Sequence, residues 1–258
     1  MTFLDRSTSV PSLVIAVLAV ASGSYARAFE EMSGRAVHLT QVKAMLDDVT
    51  DTRFLANVVL TAWLVALVVR APADSGAQRS IRHGSYLRAV GAACRDGLLW
   101  AFAVAPVALV AMYVTTLGLP ATDDGSHGID GYPAEVQRPG WPWLAMLLAT
   151  VVLAVTLLVV LQLLSLTLYL TAPVRRLDVA FAVSVAVLAL LSAAGFVDAS
   201  SPLNLGQLTT VLSIVTAPVA AVVSWATTFA TCAMCVVLLR GMDRRRRSLP
   251  ALLGRRRA

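Results

Sequence analysis

The chain is 258 residues long, 58% hydrophobic and only 14% charged, with a formal net charge of +6 and a mean hydropathy of +0.75. Those values lie outside the range of soluble globular domains and exclude a charge-rich disordered polymer. Three cysteines, none in a predicted outside loop, give no reason to expect a disulfide framework.

In chain order, uncharged stretches occupy Ser7–Ala26, Phe54–Val69, Gly97–Thr122, Pro139–Val174, Val179–Val197 and Ala199–Leu239. A hydrocarbon core about 30 Å thick needs roughly 20 helical residues to cross it, and backbone groups in lipid must be paired internally. The stretches are rich in Leu, Val and Ala and lack the alternation of a lipid-facing barrel strand. The expected fold is therefore all-α: a polytopic membrane protein of six transmembrane helices, at about 7–26, 54–70, 97–119, 142–170, 179–197 and 212–239, followed by a basic tail at 241–258.

The first stretch competes with a signal peptide, because Ala26-Arg27-Ala28 resembles a cleavage site. Asp5 balances Arg6, so no basic leader stands out, and twenty uncharged residues exceed the usual apolar region of such a peptide; we expect a retained helix. The second span has 16 uncharged residues between Arg53 and Arg70, both able to snorkel to the interfaces. The third contains Pro106, where a kink is expected. The fourth opens on Trp141-Pro142-Trp143, an aromatic pair suited to the headgroup zone. Arg175 and Arg176 close its far end, and Asp178 opens the fifth. The last run, Ala199–Leu239, has 41 residues, twice what a bilayer needs. With Pro202, Asn204 and Gly206 near its start, it suits a short re-entrant element ahead of a full final helix. A plain outside loop and a helix kinked at Pro218 is the other reading.

The charged connections alternate in sign. With the N-terminus inside, cytoplasmic segments hold 16 Arg against 5 Asp, and the opposite side holds 5 Lys/Arg against 10 Asp/Glu. Basic segments resist translocation, so both termini are expected in the cytoplasm and the chain in the cytoplasmic (cell) membrane.

Two connections carry more than topology. In Arg27–Arg53, Val42, Met45, Leu46 and Val49 recur at helical spacing, which predicts a short amphipathic helix on the outer surface. In Arg70–Asp96, Arg79, Arg82, Arg88 and Arg95 lie beside an apolar stripe of Leu87, Val90, Gly91, Cys94 and Leu98. One face is expected to rest in the membrane interface, either as an ordinary connector or as a docking helix for a cytoplasmic partner.

The stretch Arg79-Ser80-Ile81-Arg82-His83-Gly84-Ser85-Tyr86-Leu87-Arg88 resembles the Ile-Arg-x-Gly-Ser segment of some permease subunits of ATP-binding-cassette transporters of the export (ABC-2-like) class. The sequence likeness covers about ten residues, and the layout is similar along the chain. The resemblance implies six spans, a coupling helix between spans two and three, and re-entrant helices before span six. It implies a separate ATPase subunit as partner, with Arg79, Arg82, Gly84, Ser85, Tyr86 and Arg88 as the contact surface. It also implies a homodimer or a heterodimer with a second permease. The chain itself would then be no enzyme and need no cofactor: it has no G-x-x-x-x-G-K-[ST] phosphate cradle, and no polar segment exceeds about thirty residues. A non-transporting accessory, immunity or scaffold protein of the membrane is the alternative from a different class.

Other chemistry is weaker. Asp47-Asp48-Val49-Thr50-Asp51 fits the D-D-x-x-D pattern by which prenyl-transferring enzymes hold Mg²⁺ and diphosphate, but it stands in one copy on the predicted outside. Cys232 and Cys235 form a C-x-x-C within the last span, with neither His nor acid nearby, and read as small buried hydrophobes. His38, His83 and His127 sit on three separate connections. No Asp, Glu, Lys, Arg or His falls in a span interior, which argues against a proton-coupled carrier and suits an amphiphilic or peptide-like cargo. The arginines of the tail fit anionic membrane lipids better than nucleic acid, and the tail beyond Leu249 reads as disordered.

Overall fold

The computed structural model describes residues 40–50, 84–120, 140–171, 177–204 (apart from 199 and 202) and 217–255, with single positions at 59, 60, 63, 64, 67, 68, 208 and 214. Among these residues the structure is all-helical. Five helices are α1 (Gln41–Thr50), α2 (Tyr86–Thr115), α3 (Trp141–Thr171), α4 (Leu177–Ala193) and α5 (Pro218–Arg255). Three of them, α2, α3 and α5, are long and apolar enough to cross a membrane, and α4 is a shorter apolar helix. The first span, most of the re-entrant element and the contact residues Arg79 and Arg82 lie outside the described residues.

α3 is the axis. It carries 31 residues and no charged side chain, and it packs against α1, α2, α4 and α5. Its inward face supplies Val155, Leu157, Leu158 and Leu161 to the central core, which also takes Ala101 of α2 and Ala182 and Ala189 of α4. From the predicted second span, Leu60, Trp63, Leu64 and Leu67 join that core. Their i, i+3, i+4, i+7 spacing makes one helical stripe. Trp63 is fixed twice: its indole Nε1 donates to the Leu158 carbonyl at 2.9 Å, and its ring lies 4.9 Å from that of Trp100.

α1 is amphipathic as expected, but its apolar side is covered by protein. Leu46 is fully buried and Met45 nearly so, against Leu147, with Leu109, Trp143 and Met146 around them. Thr40 begins the helix by accepting the Lys43 N–H at 3.2 Å. Trp143 donates to the Val42 carbonyl at 3.3 Å, and the Gln41 N–H reaches the Pro120 carbonyl at 3.0 Å. This ties α1 to the end of the bundle where α2 finishes and α3 starts. Of the two tryptophans opening α3, Trp143 therefore faces α1 while Trp141 stays 74% exposed.

Three sequence expectations are corrected. The stretch 86–98 is no separate interfacial helix, because α2 runs unbroken from Tyr86 into the third span for 30 residues, about 45 Å. Its stripe finds partners within the protein: Leu87, Val90 and Cys94 pack on Leu166, Leu239 and Met242, while Gly91 is exposed. Pro218 begins α5 rather than kinking it; proline fits a first helical position, where its missing N–H would have no partner. The tail is helical past Leu249 as far as Arg255, with Pro250 inside it removing one backbone donor.

α4 ends on a glycine cap. Gly195 takes φ +79°, and the Phe196 N–H returns to the Leu191 carbonyl at 3.0 Å, the reverse turn that satisfies a helix's last carbonyls. Beyond it Asp198 organises a tight loop. It accepts the Ser200 hydroxyl at 2.6 Å and the Ser200 N–H at 2.7 Å, and Asn204 Nδ2 bonds the Val197 carbonyl at 3.1 Å. The Ser200 hydroxyl, then its N–H, hold the Asp198 carboxyl below its ordinary pKa.

Candidate functional site: the basic end of the bundle

A helix start leaves its first N–H groups without intrahelical partners. α2 has no acid in its own first turn, so it must find acceptors elsewhere. Gly84 turns the chain at φ +68°, a left-handed conformation that costs other residues about 1–2 kcal/mol. Ser85 then takes an extended backbone and caps the helix, its Oγ accepting the Arg88 N–H at 3.1 Å.

The remaining donors are met from the far end of the sequence. Asp243, on the continuation of α5 beyond its apolar span, accepts the Ser85 hydroxyl at 2.8 Å and the Leu87 N–H at 3.3 Å through Oδ2. Its Oδ1 accepts the Tyr86 N–H at 2.6 Å. A carboxylate is the right group here, because a helix N-terminus carries about half a positive charge. Charge-assisted bonds of this kind contribute about 1.5–3 kcal/mol each when partly buried.

Beneath this polar joint lies a small apolar cluster of Val90, Ala93, Leu166 and Leu239, flanked by Tyr86, Tyr169 and Met242. The ends of α2, α3 and α5 meet there. Around the rim Arg88, Arg95, Arg240, Arg244 and Arg245 are exposed. Arg95 pairs with Asp96 at 3.4 Å, with both side chains open to solvent, and such a pair adds little.

Of the six residues proposed as a contact surface, four are described. Gly84 and Arg88 are exposed; Ser85 is buried and Tyr86 is half-buried against the apolar cluster. The described part of the motif thus splits into an outer element that a partner can touch and an inner element that fastens α2 to α5. In the sequence Asp243 is one acid of the basic tail and carries no site role. Its signal was a solitary acid in the run Arg240-Gly241-Met242-Asp243-Arg244, where every neighbouring charge is basic.

One helical rise further into the bundle stands a second polar feature. Gln162 is buried and donates from Nε2 to the Ala93 carbonyl at 2.9 Å. Its Oε1 has no hydrogen-bond partner among the described residues and lies against Gly97, where an added Cβ would collide with it. A glycine on α2 thereby admits a polar side chain of α3 between two apolar helices. Cys235 is buried and Cys232 half-buried on α5. Asp47 and Asp48 fall on the last turn of α1, while Asp51 lies outside the described residues.

No protein-family model matches this chain, and comparisons with curated proteins and with solved structures return no match.

Proposed function

We propose that this chain is the transmembrane permease subunit of an ATP-driven exporter of the ABC-2-like class. It has six spans, both termini in the cytoplasm and a separate ATPase on its arginine-rich end. Two copies, or this chain and a related permease, enclose a pathway for an amphiphilic or peptide-like cargo. ATP hydrolysis belongs to the ATPase polypeptide, and the permease converts the movement of that partner into opening and closing of the shared interface.

The observation that carries the reading is the double character of the Arg79–Arg88 stretch. Arg88 is exposed and available to a partner, while Ser85 and the first amides of α2 are fastened to the end of α5 through Asp243. A surface loop serving topology alone needs only its charges. A surface that takes up force needs a stiff link to the spans, and this one has such a link.

The test is recovery of an ATP-binding-cassette ATPase with this chain on purification from its native membranes, compared with the double variant R82E/R88E. Reversing two charges on a docking face should reduce recovery of the ATPase at least tenfold, with the permease still inserted. Equal recovery from both chains would remove the docking surface. An unaltered chain that binds no ATPase would favour an accessory or scaffold protein.

A further inference from the structure

We infer that Asp243 is a mechanical joint that makes the N-terminus of α2 and the part of α5 just past its apolar span move as one body. Three observations support it. First, the joint is polar and directional: two carboxylate oxygens receive three donors from consecutive residues Ser85, Tyr86 and Leu87, at 2.6–3.3 Å. Such a fan fixes distance and rotation together, which apolar contact alone does not.

Second, α5 presents much of its span outward. Along its span Val219 is 77% exposed, Val222 68%, Phe229 65% and Val237 65%. Its deeply buried residues are few and mostly small: Ala221, Ser224, Cys235 and Leu239. In a lipid solvent, apolar contact between helices has no hydrophobic driving force behind it, so a polar joint weighs more in fixing their relative position.

Third, the joint stands at the end of a lever. α5 continues past its apolar span as one helix to Arg255, so a load applied near Asp243 is delivered along the helix axis to the span. Gly84, immediately before the cap, lets the chain turn sharply into α2.

For function, the joint places the last span, as well as the third, under the control of whatever grips Arg88 and its neighbours. That consequence rests on the docking reading above. The joint itself does not, and its test needs no ATPase. Spin labels are placed at Gly91→Cys on α2 and Arg244→Cys on α5, both exposed, in the full chain with Cys94, Cys232 and Cys235 changed to alanine. The distance distribution is measured by pulsed electron resonance in lipid nanodiscs.

With Asp243 present the distribution should be single and narrow. In D243A it should at least double in width; D243N, which keeps a neutral acceptor, should fall between; D243E should recover most of the narrowing. If D243A does not accumulate, the order D243N wider than D243E carries the same information. Hydrogen exchange at Tyr86 and Leu87 should accelerate in step with the width. An unchanged narrow distribution in both D243A and D243N would overturn the joint. ATPase co-purification is scored separately, so loss of the docking surface and loss of the joint give different results.

Discussion

Gln162 on α3 lies so close over Gly97 on α2 that no Cβ fits between them, while its amide donates to the Ala93 carbonyl one turn earlier. The pair sets how closely the two longest apolar helices of the upstream half approach. Small residues at crossing points and buried amide bonds are the usual means of association in lipid, where apolar burial contributes little.

Gly97→Ala should therefore force Gln162 aside and break its bond to Ala93. We expect a loss of about 1–2 kcal/mol in stability, the range for an interhelical polar bond in a membrane. Gln162→Ala should cost a similar amount, and the double variant should cost clearly less than the sum, since both changes remove one contact. Thermal unfolding in detergent, read for all four chains, gives the coupling; strict additivity would show that the two residues act independently.

Trp63 separates hydrogen bonding from packing. Trp63→Phe keeps an aromatic ring near Trp100 but loses the bond to the Leu158 carbonyl, and should cost about 1 kcal/mol. Trp63→Ala also empties a site in the central core and should cost about 3 kcal/mol or more. Comparable destabilisation by both changes would mean that the indole N–H, not the ring volume, holds the second span.

At the opposite end, α1 depends on Leu46, which is fully buried against Leu147 and Met45. Leu46→Asp should detach α1, placing an unpaired charge where apolar packing stood. Amide exchange at residues 42–46 should rise at least tenfold, while that of α3 beyond Thr150 stays as before. Protection equal to that of the unaltered chain would show that the Thr40 cap and the Trp143 bond suffice.

The loop after α4 should respond to acid. Ser200 holds the Asp198 carboxyl below its ordinary value, so the folded loop prefers the ionised form. Its stabilising effect is present above the unfolded pKa of about 3.9 and is lost as pH falls through the lower folded value. Protection of the Ser200 amide should fall when pH drops from 6 to below 3, and Asp198→Asn should remove that dependence. A pH response that survives in Asp198→Asn would assign it to another group.

How far the sequence disclosed this architecture follows from the range of each signal. The apolar runs mark α2, α3, α4 and α5, and the three- and four-residue recurrence of Val42, Met45 and Leu46 marks α1, because these patterns are written within one turn of helix. The union of 86–98 with the third span was less visible. The arginines point to a separate connector, and Asp96-Gly97 offers cap residues at its boundary, yet the stripe has partners on α3 and α5 that periodicity does not name and the helix runs through. The joint at Asp243 was beyond reach for a plainer reason. It closes a helix cap between residues 158 positions apart, whereas sequence signatures of caps rest on residues three apart.

Orientation in the bilayer underlies the whole functional reading, and one accessibility measurement reaches it directly. Single tags are inserted at Gly76, between the second and third predicted spans, and at Gly125, between the third and fourth, and intact cells are treated with an impermeant protease. The expected result is cleavage at Gly125 with Gly76 protected until the membrane is opened. Cleavage at Gly76 with Gly125 protected would put the arginine-rich end outside and remove the ATPase from it.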